Sequence, residues 1–172
     1  MKMKIDTKEI VLFGALGGLT SASQLILSFI PNVEIVSLLI ILFSLIFRRK
    51  ALYIVCTFVF IMGITYGFGV WWFGYAILWP MLCIITFTFS KFIEGEYFKL
   101  AVYSGIFGVL FGFFYAIPYA VFGGLNAGIA YWISGLQFDI IHGISNYLIM
   151  QILGERIFNL INKLNRNYLY AQ

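Results

Sequence analysis

The chain has 172 residues, of which 62% are hydrophobic, 20% aromatic and only 10% charged, with a net charge of +4. About a quarter of the residues of a soluble domain are charged, so this composition excludes one and predicts a single integral membrane domain over residues 1–172. The positive charge does not mark a nucleic-acid surface. The eleven Lys and Arg fall in four groups, Lys2, Lys4, Lys8; Arg48, Arg49, Lys50; Lys91, Lys99; and Arg156, Lys163, Arg166. With alternating spans all eleven lie on one side, which the positive-inside rule assigns to the cytoplasm.

The apolar runs, divided by short polar breaks, predict an all-α bundle of about six transmembrane helices with both termini cytoplasmic. The first span covers about 10–30. Its basic start and Ser21-Ala22-Ser23 imitate a signal peptide, but removing it would invert the charge pattern of everything that follows. Gly14, Gly18 and Ala22 recur every four residues with Ala15 beside them, a flat strip for close approach of another helix, from this chain or from a partner. Pro31-Asn32-Val33-Glu34 then precedes a short span over 35–47. Thirteen residues rise only about 20 Å, too few for a ~30 Å core unless the preceding segment re-enters the membrane and carries Asn32 and Glu34 inward.

Spans over 51–66 and 70–90 follow. Phe68, Trp72, Tyr75 and Trp79 share one helical face, either as an interfacial aromatic belt or, for the deeper Tyr75 and Trp79, as a pocket wall. The fifth span, 100–122, holds Gly105, Gly108, Gly112 and Pro118. The glycine-rich stretch 123–128, with Asn126, reads as an outer loop, a lid or a plain turn. The last span, 136–154, precedes an amphipathic tail on the inner membrane surface. Cys56 and Cys83 lie in apolar runs without metal or redox spacing and are expected to serve packing. No metal site, catalytic motif or cofactor is expected.

The most informative residues are in the last span. Asp139, His142 and Asn146 fall within about 60° of one another on a helix, with Gly143 beside them. Each ionisable group at membrane depth costs at least ~2.5–3.5 kcal/mol on insertion scales, so the stripe must face the bundle interior or a cavity. The candidate substrate-binding set is therefore Asn32, Glu34, Trp72, Tyr75, Trp79, Asn126, Asp139, His142 and Asn146.

The small-residue strip on the first span, Pro-Asn-Val-Glu before a short second span, Trp-Trp-Phe-Gly-Tyr with Trp79 on the fourth, and Ser-Gly-Leu-Gln-Phe-Asp-Ile-Ile-His-Gly-Ile-Ser-Asn on the sixth together resemble the substrate-binding S component of energy-coupling factor (ECF) transporters, bacterial vitamin importers. The resemblance implies a six-helix protein of the bacterial cell membrane that captures a nutrient at its outer end and works with a transmembrane coupling protein and two ATPases. It also implies a docking role for Gly14, Ala15, Gly18 and Ala22, where the family carries an Ala-x-x-x-Ala pattern. The chain has no Walker A sequence, which fits a component that borrows its ATPase.

Two other classes compete. Asp139 and His142 at i, i+3 form an acid-base pair for an intramembrane enzyme, without a nucleophile or metal triad beside them; or the polar stripe joins helices in a structural or assembly protein. The proposed outer half contains acidic groups and aromatics but no Lys or Arg, with His142 as the one possible cation. Anionic nutrients such as folate, biotin and pantothenate are therefore disfavoured. A neutral or cationic compound with a flat ring fits: thiamine and its precursors, riboflavin, pyridoxine, a queuosine precursor or cobalamin.

Overall fold

The computed structural model describes residues 5–169 and contains no strand among them. Six α-helices follow in order: α1 (Thr7–Leu27), α2 (Val36–Phe47), α3 (Ala51–Tyr66), α4 (Val70–Ile93), α5 (Tyr97–Gly123) and α6 (Leu125–Leu169), with a 3₁₀ turn, Arg48–Lys50, between α2 and α3. Three of them, α1, α4 and α5, are long and apolar enough to cross a membrane. Large apolar side chains such as Ile26, Phe29, Phe92 and Val121 stand on the outside of the bundle, a surface suited to lipid rather than water.

Helix α2 is the centre. Its sequence, VSLLIILFSLIF, is apolar on every face, and a helix of that kind must be enclosed. All its residues except Ile46 are buried. The other helices pack around it.

Helix α1 starts at a capping box, with Glu9 N donating to Asp6 Oδ1 at 2.7 Å and Asp6 N to Glu9 Oε2 at 3.3 Å. Two of the four free amides at the helix start are thereby satisfied. Its buried residues are Phe13, Gly17, Thr20 and Ser21. Gly17 meets α3 so closely that a Cβ there would lie 2.9 Å from the Ile54 carbonyl oxygen. The neighbouring strip faces outward: Gly14, Ala15 and Ala22 are exposed, and a Cβ on Gly14 or Gly18 would meet nothing within 4 Å.

Helices α5 and α6 form an antiparallel hairpin whose register is written in small residues. A Cβ on Gly105 would lie 3.1 Å from Tyr147 Cβ, one on Gly108 2.8 Å from Gly143 Cα, and one on Gly112 would strike the Asp139 carboxylate. Higher up, a Cβ on Gly128 would lie 3.0 Å from Ala120 Cα. Backbones in near contact over this length gain dispersion along the whole seam.

The expected loop over 123–128 is corrected. Only Gly124, at φ 86°, separates α5 from α6, because it alone needs the left-handed backbone that glycine adopts without strain. Residues from Leu125 on are already helical, so there is no lid here. The tail is corrected too. It is not a separate surface helix, since α6 runs unbroken for 45 residues and its Ile157, Phe158 and Ile161 pack on the core.

Ion pairs gather the basic turns at one end of the bundle. Lys50 Nζ binds the Glu9 carboxylate and Arg48 binds Glu94, which places the start of α1, the α2–α3 turn and the α4–α5 turn together. Gly154 of α6 lies beside Tyr97 at that same end. Of the two thiols, Cys83 is buried as expected of a packing residue, but Cys56 is exposed on α3, which corrects its assignment.

Candidate functional site

In the half of the bundle away from these ion pairs lies a cavity of about 180 Å³. It is lined by Gln24, Leu27, Ser28, Ile30, Pro31, Asn32, Val33, Glu34, Tyr75, Trp79, Phe111 and His142. One side is the strap between α1 and α2, which turns at Pro31-Asn32. Asn32 takes φ 57°, a left-handed conformation that asparagine tolerates better than most residues. The strap then drops Glu34 into the interior.

Glu34 is 7% exposed and His142 4%. Its Oε1 lies 3.1 Å from His142 Nε2, and its Oε2 accepts from Ser37 N at 2.8 Å. A carboxylate held this deep needs such partners, because desolvation of a bare charge exceeds any packing gain. Two further bonds pin the strap to α6: Ser145 Oγ donates to the Asn32 carbonyl at 2.8 Å and Asn146 Nδ2 to Ser37 Oγ at 3.1 Å. One turn of α6 therefore holds the strap and the start of α2.

The opposite wall is aromatic. Tyr75 and Trp79 meet edge to face at 5.6 Å, Trp79 and Phe111 lie 5.7 Å apart, and Phe111 packs edge-on against the His142 ring at 4.8 Å. Such contacts fix ring orientations and contribute roughly 0.5–1.5 kcal/mol each beyond burial. Trp79 Nε1 and His142 Nδ1 are buried with no hydrogen-bond partner among the described residues.

Of the residues singled out from the sequence, Asn32, Glu34, Tyr75, Trp79 and His142 come together around this cavity. The others do not line it. Trp72 Nε1 donates to the Val59 carbonyl at 3.0 Å and ties α4 to α3. Asn126 is exposed in the first turn of α6. Asp139, 6% exposed, accepts from the Gly112 amide at 2.9 Å through Oδ1, and Asn146 donates to Ser37 Oγ; Asp139 Oδ2 and Asn146 Oδ1 are buried without a partner among the described residues. The stripe on the last helix thus divides: His142 reaches the cavity, while Asp139 and Asn146 join helices. Gln24, Phe111, Ser37 and Ser145 were missed. Gln24 had a readable signal, an isolated amide in an apolar first helix; Phe111 had none among nineteen phenylalanines.

A larger groove of about 480 Å³ runs between α1, α2 and the end of α6, lined mostly by leucine, isoleucine and phenylalanine, with Ser23, Asn165 and Tyr168 as its other members. Ligand sites need a few converging polar groups for orientation, and the smaller cavity has them. No group of three or more His, Cys, Asp or Glu capable of holding a metal ion occurs among the described residues. Comparison with protein-family models, with curated proteins and with solved structures gives no match.

Proposed function

We propose that this chain is the substrate-capture (S) component of an ECF-type importer in the bacterial plasma membrane. It crosses the bilayer six times with both termini in the cytoplasm and binds a neutral or cationic, vitamin-like compound at its outer face. A transmembrane coupling protein and two ATPase subunits supply the transport step, and the chain itself performs no chemistry. The observation that carries this reading is the cavity under the α1–α2 strap, aromatic on one side and bounded by the buried Glu34–His142 pair on the other. The gathering of Lys50, Arg48 and the α4–α5 turn at the opposite end supports a cytoplasmic assignment for that end. No Lys or Arg lines the cavity, so an anionic ligand has no strong partner there.

The test is thermal unfolding of the purified protein with pooled vitamins and their precursors. A ligand at a hundred times its Kd stabilises the folded state by about 2.7 kcal/mol, and the melting temperature is expected to rise. An unchanged melting temperature across the pool would return the chain to a structural role.

The outward strip on α1 supports docking to the coupling protein. Gly18→Leu adds bulk at a position where a Cβ meets nothing within 4 Å among the described residues, so stability is expected to change by less than about 0.5 kcal/mol. Co-purification with the coupling protein is expected to be lost, because the close approach that small residues permit is blocked. Retained co-purification would assign the strip to lipid contact.

A further inference from the structure

The cavity under the strap is small and carries two unspent nitrogens. Its volume of about 180 Å³ lies below the ~300–1,000 Å³ of sites for drug-sized ligands. Trp79 and His142, 1% and 4% exposed, both line it, and each has a ring nitrogen without a protein partner among the described residues. An indole N–H only donates. The His142 Nε2 faces a carboxylate, which only accepts, so Nε2 holds a proton and Nδ1 is the ring nitrogen left to the cavity. Both Glu34 oxygens already accept a bond, from His142 and from the Ser37 amide.

Resting on the reading of the chain as a ligand-binding protein, we infer that the cavity takes an uncharged, single-ring nitrogen heterocycle. The ring presents an acceptor to Trp79 Nε1 and a polar substituent to His142 Nδ1, and its face packs within the Tyr75–Trp79–Phe111 wall. A cavity this small favours a single ring over two-ring and tricyclic compounds. Glu34 is the one acidic side chain among the lining residues and each of its oxygens already accepts a bond, so a cation gains less there than beside a free carboxylate.

Isothermal titration of the full chain at neutral pH decides this with four probes: pyridoxine and 4-amino-5-hydroxymethyl-2-methylpyrimidine as uncharged single rings, thiamine as a two-ring cation, and riboflavin as a tricycle. One single-ring compound is expected to bind at least tenfold more tightly than thiamine and riboflavin. Trp79→Phe keeps an aromatic wall but removes the donor, and is expected to weaken that ligand about tenfold. Tighter binding of thiamine or riboflavin would overturn the inference and leave the binding function standing. Unchanged single-ring affinity in Trp79→Phe would overturn the role of its nitrogen; the wild-type panel carries the size claim even if that variant fails to fold. If none of the four binds, the inference falls alone where the vitamin pool still raises the melting temperature, and together with the proposed function where it does not.

Discussion

Gly108→Leu is expected to part α5 from α6 and lower stability by about 3 kcal/mol or more, the upper end of the usual cost of overpacking. Most small-to-large changes are relieved by a neighbouring side chain swinging aside. Here the added Cβ would stand 2.8 Å from the Gly143 Cα and amide nitrogen and from the His142 carbonyl carbon. Backbone atoms in helices cannot rotate away, so the two helices must separate, and the seam from Gly105 to Gly112 opens with them. Thermal unfolding in detergent measures the loss, with Gly18→Leu as the control of equal bulk at an open position. Equal melting temperatures for the two variants would show that the hairpin is not held by close backbone approach. The same change displaces His142, so ligand affinity is expected to fall together with stability.

The second large effect is expected at Glu34. Glu34→Ala removes the acceptor of two buried bonds and leaves His142 Nε2 and the Ser37 amide without it. Each buried group left unsatisfied costs about 1–3 kcal/mol. The strap is then held to α6 chiefly through Ser145 and Asn146, and ligand affinity is expected to drop by more than a hundredfold as the cavity loses one side. Glu34→Gln is the informative companion. Its carbonyl serves the Ser37 amide while its NH₂ donates to the other tautomer of His142, so stability is expected to return to within about 1 kcal/mol of the parent. Recovery of folding with Gln but continued loss of binding would show that the carboxylate itself orients the ligand through the histidine. Full stability of Glu34→Ala would remove the pair from any account of the fold.

How much of this was legible in the residues depends on what kind of signal each one carries. Hydropathy along the chain is a strong local signal, and the all-helical fold follows from it. The inward course of Glu34 was legible because a short second span and a Pro-Asn turn leave the chain little alternative. His142 was legible because a lone ionisable group on an apolar helix must be sheltered. Periodicity, however, cannot say which neighbour a polar side chain will meet. Asp139 and Asn146 share a face with His142 within a narrow arc, yet Asp139 turns to an amide of α5 and Asn146 to a hydroxyl of α2, because the three residues stand at different heights against different helices. The same limit applies to glycines. Gly14 and Gly18 show the cleaner four-residue spacing, but Gly17 makes the contact with α3. The run 123–128 resembles a loop by composition, while one left-handed glycine is enough to reverse the chain. Spacing records that small residues recur and is silent on what they face.

The glycine seam between α5 and α6 divides the molecule mechanically. Where two backbones touch there are no long side chains between them to slide or change rotamer, so the hairpin behaves as a single stiff plate. The strap on the other side of the cavity is fastened differently, by a few directional bonds from one turn of that plate: His142 to Glu34, Ser145 to Asn32, Asn146 to Ser37. Bonds of this kind let go one at a time and re-form without repacking a core. The two sides of the cavity are therefore held by different means, the plate by backbone contact and the strap at residues 28–35 by separable bonds. The residues that do the fastening sit on the plate, beside the ring nitrogen that faces the cavity.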